Sequence, residues 1–415
     1  MLVREAILAM TVVWLCAGQV RAEAPEWFGV ARTGYTDANS TRAWHQGGLG
    51  RYLADDDDAQ IDLDAHIAMV WEPDTDWRFF VQALARGDAA GSGQHFGLVE
   101  TYVDRNFFLG DDSRLRLRFG QFFLPTSREA IDPLWQSRYT ITLSALNSWI
   151  AEEFRPIGLD ASWRNAADSA HEWELAATAV TGNDSAGALL AWRGFAQHDR
   201  ISVFGEVLQL PALPTLANGA AFGDQRDDGS KPFGRDLDGR VGYALRARVG
   251  APDRFRLLAT HVDTRGDRGL HRGEYAWRTK FTNLGGEFHV NARWSFVGEI
   301  ISGATGMGLA TGPRVDIDFD TAYVLASYTP DDSWRFTARA ERFEIVDRDG
   351  GAENNDDDGD SYTLAAFRNF ASHWRAGIEW TQSDTTHAAA ALFANPALPL
   401  ETAGSQWRIE LRRSF

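Results

Sequence analysis

Apolar and polar residues alternate with period two along most of the chain. In 61–71, Ile61, Leu63, Ala65, Ile67, Met69 and Trp71 fall on one side, and Asp62, Asp64 and His66 on the other. Leu115, Leu117 and Phe119 oppose Arg114, Arg116 and Arg118, and Trp173, Leu175, Ala177 and Ala179 oppose Glu172 and Glu174. Near the C-terminus Trp407, Ile409, Leu411 and Phe415 oppose Arg408, Glu410 and Arg412. Asp316–Tyr328 sets Ile317, Phe319, Thr321, Tyr323 and Leu325 against Asp316, Asp318 and Asp320. This is the period of a strand with two unlike faces. Eighteen such segments can be counted, among them 27–35, 114–122, 187–195, 200–209, 240–250, 316–328 and 406–415. Merging one hairpin gives sixteen.

The links between these segments alternate in length. Short ones, such as 72–76, 109–113, 292–293 and 371–372, are followed by long ones rich in Gly, Asp and Pro, such as 36–58, 123–156, 210–239 and 346–360. A soluble β-sandwich has no reason to sort links by parity, whereas an up-and-down membrane barrel does. Such a barrel must close, because an open edge leaves backbone groups unpaired in hydrocarbon. The expected fold is therefore all-β: a transmembrane antiparallel up-and-down β-barrel of eighteen strands (alternatively sixteen), with short periplasmic turns and long extracellular loops. Its apolar face should meet lipid and its polar face a wet lumen, with Glu100, Asp104, Glu299 and Asp318 among the lumen acids. Trp or Phe beside many short turns, such as Trp71, Trp77, Trp163, Trp173, Trp294 and Trp334, fits an interfacial girdle.

The N-terminus adds an address. Arg4 is followed by the apolar run 6–18 and by Gln19-Val20-Arg21-Ala22. At about 13 residues this run is short of the roughly 20 a spanning helix needs, and 1–22 reads as a cleaved secretory signal. The single Cys, Cys16, lies inside it. Residues 23–415 then form one barrel domain in the outer membrane of a Gram-negative cell.

Charge narrows the partners. Acids outnumber bases 58 to 41, giving a formal net charge of −17, so nucleic acid is excluded for want of clustered cations. Arg recurs on the lumen parity: Arg114, Arg116 and Arg118; Arg246 and Arg248; Arg335 and Arg339. In a pore these would draw anions, unless each is paired with a lumen acid and stiffens the wall. Loop 123–156 supplies Arg128, Glu129, Asp132, Arg138, Glu152, Glu153 and Arg155, candidates for a constriction if it folds inward. No metal or cofactor motif stands out. Asp356 and Asp358 are weak candidates only, because Ala365 occupies the place of the bidentate Glu of an EF-hand. No HExxH, GxSxG or P-loop pattern is present, so an enzyme is not expected.

The most distinctive segment is Gly120-Gln121-Phe122-Phe123-Leu124-Pro125-Thr126-Ser127-Arg128-Glu129, which runs on to Trp135, Trp149, Glu152-Glu153, Arg155 and Gly158. A strand ending in G-Q-F, then x-x-P-x-S-x-E and a later E-x-R-x-x-G, resembles the phosphate-selective porin O/P family over about forty residues. The resemblance implies a sixteen-stranded trimer in which loop 123–156 enters the lumen and narrows it. The terminal Phe415 resembles the signal read by the outer-membrane barrel assembly machinery, with Arg413 where that pattern prefers an apolar residue. The expected function is a porin passing small hydrophilic solutes, anions preferred, as a homotrimer among outer-membrane lipid and lipopolysaccharide. The alternatives are a barrel-based enzyme or adhesin acting through its long loops, and a secreted soluble β-protein.

Overall fold

The computed structural model describes residues 24–56, 59–87, 94–110, 112–165, 170–228, 231, 234–251, 253–393 and 397–415. The signal segment 1–22, and Asp57 and Asp58 of the first acidic run, lie outside the described residues.

Sixteen antiparallel strands close into one barrel. They are β1 Glu26–Asn39, β2 Gln60–Trp71, β3 Trp77–Arg86, β4 Phe96–Leu109, β5 Ser113–Gln121, β6 Ile157–Asn165, β7 Glu172–Thr181, β8 Gly242–Ala251, β9 Phe255–Asp263, β10 Arg278–His289, β11 Trp294–Met307, β12 Val315–Tyr328, β13 Trp334–Asp347, β14 Asp357–Phe370, β15 Trp374–His387 and β16 Glu401–Ser414. Each pairs with its neighbours in the chain, and β1 closes on β16 from Val30↔Ser414 to Asn39↔Ser405. The seam is finished by Phe415, whose N–H donates to the Gly29 carbonyl (3.0 Å) and whose carbonyl accepts from the Gly29 N–H (2.9 Å).

One end carries turns of three to six residues, the other loops as long as 122–156 and 182–241. Aromatic pairs ring the short-turn end: Trp71 with Phe79, Trp163 with Trp173, Trp294 with Tyr328 and Trp334 with Phe336, at centroid separations of 4.7–5.7 Å. Leu63, Phe119, Leu159, Leu175, Leu245, Ile300, Val324, Leu364 and Ile409 stand exposed on the outer wall. A closed barrel wearing an apolar belt and an aromatic ring is an outer-membrane barrel, since no soluble protein has cause to expose that belt. The soluble β-protein reading falls here.

Two sequence expectations fail. The count of eighteen strands becomes sixteen, because 187–195 and 200–209 are not wall strands. Ala188–Arg193 is instead a short helix (α2), bracketed by Gly187 and Gly194, whose φ values of +106° and +79° suit residues without a Cβ. Its Ala and Leu residues favour helix, and the extended chain after it joins no barrel ladder, Phe204 N meeting the Leu98 carbonyl of β4 singly (2.8 Å). The second failure is the phase of β12. Ile317, Phe319, Thr321, Tyr323 and Leu325 are buried, whereas Asp318 is only half-buried and pairs with Arg348 at 2.7 Å. The apolar face of β12 points into the barrel.

The reason is that the main core lies inside the barrel. Phe281 of β10, Ile301 of β11, Ile317 and Phe319 of β12 and Phe343 and Ile345 of β13 pack against Trp149, Ile150, Phe154, Leu189, Trp192 and Phe195 from the loops. Large aromatics dominate such cores. Trp149 alone meets Phe281 and Phe319 edge-on at 5.5 and 5.2 Å.

Candidate functional site in the lumen

Loop 122–156 leaves β5 through Phe122-Phe123-Leu124-Pro125 and crosses the lumen. Ser127 turns it, its Oγ accepting from the N–H groups of Glu129 and Ala130 (both 2.9 Å). Ser144 caps a nine-residue helix (α1, Ala145–Glu153), every residue of which is buried. A loop buried in this way must find partners for its backbone donors. Glutamates on the inner wall supply them. Glu100 of β4 accepts from Phe123 (2.8 Å), and Glu299 of β11 from Arg128 and Glu129 (2.5 and 3.2 Å). Glu341 of β13 accepts from Ala145 (2.7 Å), and Glu379 of β15 from Ile141 and Thr142 (2.6 and 3.0 Å).

Within the loop, Glu129 gathers Ser144 N (3.0 Å), Ser144 Oγ (2.7 Å), Asn147 Nδ2 (2.9 Å) and Arg339 of β13 (2.7 Å). Arg128 pairs with Glu287, and Asp132 with Arg138 at 2.7 Å. Arg155 stacks on Phe123, 3.9 Å from its centroid, and donates to the Ala151 and Ser202 carbonyls. Glu152 pairs with Arg193 (2.7 Å) and His198 (3.0 Å). Burial would raise its carboxyl, but these two neighbours hold it down at about 2. Glu153 accepts from Trp149 Nε1 (2.8 Å) and from the Gly187 and Leu189 N–H groups at the start of α2 (both 2.9 Å). Burial outweighs these donors and pushes it up to about 7.

The wall arginines are almost all engaged. Arg118 grips Asp104 through two bonds (2.7 and 2.9 Å) and lies over Tyr102. Arg116 and Arg246 converge on Asp160 (3.3 and 3.2 Å), and Arg248 takes Glu174 (2.8 Å). Arg339 also reaches Glu341 (3.1 Å), and Arg335 donates to Ser327 Oγ (2.8 Å). Arg114 sits half-buried at the short-turn end of β5. Five of the seven ladder arginines, Arg116, Arg118, Arg246, Arg248 and Arg339, are thus held in ion pairs.

The second long loop, 182–241, was not foreseen as a lumen element. After α2 its chain passes Phe195 against Phe343 (5.7 Å), Gln197 against Glu341 and Ser361, and brings Asp199 to the wall at the β16–β1 closure. There Asp199 meets Arg32 of β1 and, at 2.8 Å, Arg408 of β16. Arg32 also binds Asp64 (2.5 Å), and Arg408 binds Asp62 (3.4 Å). Two small cavities, of about 20 and 30 Å3, abut this knot. One reaches Gln136, Arg375, Glu410 and Arg412 towards the short-turn end; the other reaches Leu53, Asp62, Arg86 and Arg200 towards the loops. They share Arg32, His66, Asp199 and Ile201. Below the first loop lies a wider cavity of about 500 Å3, lined by Arg78, Tyr102, Arg118, Arg128 and Asp132 among others.

This architecture has solved counterparts. The outer membrane channel DcaP of Acinetobacter baumannii superposes with a TM-score of 0.55 at 10% identity, covering 96% of this chain and 99% of that one. OmpF of Salmonella typhi gives 0.55 at 10%, covering 94% and 97%, and the trimer form of Vibrio cholerae OmpT gives 0.53 at 12%, covering 94% and 99%. The chain has the fold of outer-membrane porins and channels. No protein family matches the sequence, and no curated protein does.

Sequence reasoning missed Arg32 and Asp199 as partners, because they lie 167 residues apart. Only the odd apolar content of 188–203, too rich for a solvated loop, hinted that this segment is buried. The weak metal candidates do not converge: the Asp356 carboxylate accepts from Asp347 N (2.7 Å), and Asp358 faces outward. The acids that do converge among the described residues are Asp184, Asp236 and Asp238. The Asp184 carboxylate, lifted by burial to about 6, is already taken by the Leu237 N–H.

Proposed function

We propose that the chain is an outer-membrane porin, a non-enzymatic channel through which small hydrophilic solutes diffuse, anions preferred. The observation that carries this reading is the seam of charged cavities between the inward loops and the β1–β3 and β15–β16 wall, arranged on both sides of the Arg32–Asp199 pair. Selectivity in such a pore needs only size and field. Loop 122–156 is the first constricting element, with Asp132, Arg138 and Arg128 at its lower edge; Glu129, Glu152, Glu153 and Arg155 hold its shape. The buried motif from Gly120 to Glu129 favours the phosphate-selective O/P type among porins, and Arg replaces Lys throughout. The chain is exported by 1–22 and assembled through Phe415. It works as a homotrimer, with its outward acidic rim near lipopolysaccharide. Purified protein added to planar bilayers should give discrete conductance steps, with a reversal potential in a salt gradient favouring anions. Absence of steps refutes the porin; cation preference refutes the selectivity.

A further inference from the structure

Asp199 is held by two guanidiniums from adjoining strands, Arg32 Nη1 and Arg408 Nη1, in the manner of a bound carboxylate. Guanidinium forks match carboxylates well. The side chain comes from the loop, not the wall, and it stands where the two small cavities meet. Each cavity has room for about one or two waters. With Asp199 in place the two cavities offer no more room than that.

The backbone around Asp199 is fixed. The His198 carbonyl accepts from Leu143 N (3.1 Å), His198 N donates to Ser148 Oγ (3.1 Å), and Ser202 N donates to the Ala151 carbonyl (3.2 Å). Release of Asp199 is therefore a side-chain rotation, not a loop movement. The surrounding charge favours an anion in its place. The two cavities are lined by Arg32, Arg86, Arg200, Arg375 and Arg412 against Asp62, Asp64, Asp199 and Glu410. Glu206 serves Arg86 and Arg200 as well, so turning Asp199 away leaves five arginines facing four acids. Among the described residues Arg412 has no carboxylate within ion-pair distance, while Glu410 is taken by Arg375 (3.1 Å).

We propose that Asp199 is an internal stand-in for a small carboxylate solute. It occupies a two-arginine carboxylate site where the two cavities meet, and an entering carboxylate opens the seam by replacing it on Arg32 and Arg408. This rests on the porin reading and names the solute class and the gate.

The test uses purified full-length protein in planar bilayers, with folding checked by heat-modifiable gel migration. Asp199→Asn should raise the chloride conductance roughly twofold or more, and Asp199→Glu should keep the wild-type value. In the wild type, replacing part of the chloride by acetate at constant ionic strength should raise the conductance; in Arg32→Gln it should not. Equal conductance of wild type and a folded D199N, or a D199E as open as D199N, overturns the proposal. Should D199N fail to fold, the wild-type acetate series decides: no rise with acetate overturns it. A wild type without any steps refutes the porin itself, an outcome distinct from steps that ignore acetate and Asp199.

Discussion

Arg339 offers the sharpest test of how the first loop is held. Its guanidinium is fully buried and donates to four loop acceptors: Glu129 Oε1 (2.7 Å), Thr140 Oγ1 (3.2 Å), the Thr142 carbonyl (2.8 Å) and the Leu143 carbonyl (3.3 Å). On the wall it reaches Glu341 (3.1 Å) and Thr363 (3.2 Å). Arg339→Met keeps the unbranched stem and removes the charged head, leaving two buried carboxylates without their cation. Breaking a buried pair in this way costs about 3–5 kcal/mol. At about 1.4 kcal/mol per decade, the docked-to-undocked ratio of the loop falls by between about a hundred- and several thousand-fold. Tryptic cleavage after Arg128, buried in the docked loop, should rise steeply while heat-modifiable migration shows the barrel intact. The double variant E129Q/R339M removes one stranded carboxylate and should recover part of the protection. A folded R339M barrel whose loop resists trypsin as the wild type does would refute the view that this network holds the loop.

Two further outcomes follow from the geometry. Glu153 is raised from an ordinary 4.5 to about 7 in the docked state, so docking binds a proton more readily than release. Its contribution, about 3 kcal/mol at most, is fully present below pH 4.5 and lost as pH rises through 7. Exchange of the Gly187 and Leu189 amides, corrected for intrinsic rate, should quicken from pH 5 to pH 8, and E153Q should abolish the trend; a flat wild-type profile contradicts it. At the seam, a Cβ on Gly29 would lie 2.5 Å from both the Phe415 ring and the His66 carbonyl oxygen. G29A should therefore lower the yield of heat-modifiable barrel, as should deletion of Phe415, and normal assembly of both would show that the β1–β16 closure tolerates a loose end.

The alternation told strands from loops wherever a strand separates lipid from a charged lumen. In β5, β7 and β16 the inner residues are Arg116 and Arg118, Glu174, and Arg408 and Glu410, so polar side and inner side coincide. In β12 they do not. Its membrane half is apolar on both faces: Ala322, Val324, Ala326 and Tyr328 outward, Tyr323 and Leu325 inward, and the aspartates lie on the outer face near the loop end. Period two gives two faces but not which is inside, and a strand covered on both sides loses the contrast that fixes the phase. The same cause produced the two false strands. Segment 187–209 is apolar because it fills the lumen, yet with the wall already closed it has no partner to pair with. Both errors trace to one assumption, that the lumen is wet throughout. Two-sided apolarity in β12 and an apolar stretch inside a long loop are complementary halves of a packed interface. Finding both in one sequence is the signal that a barrel carries its core inside.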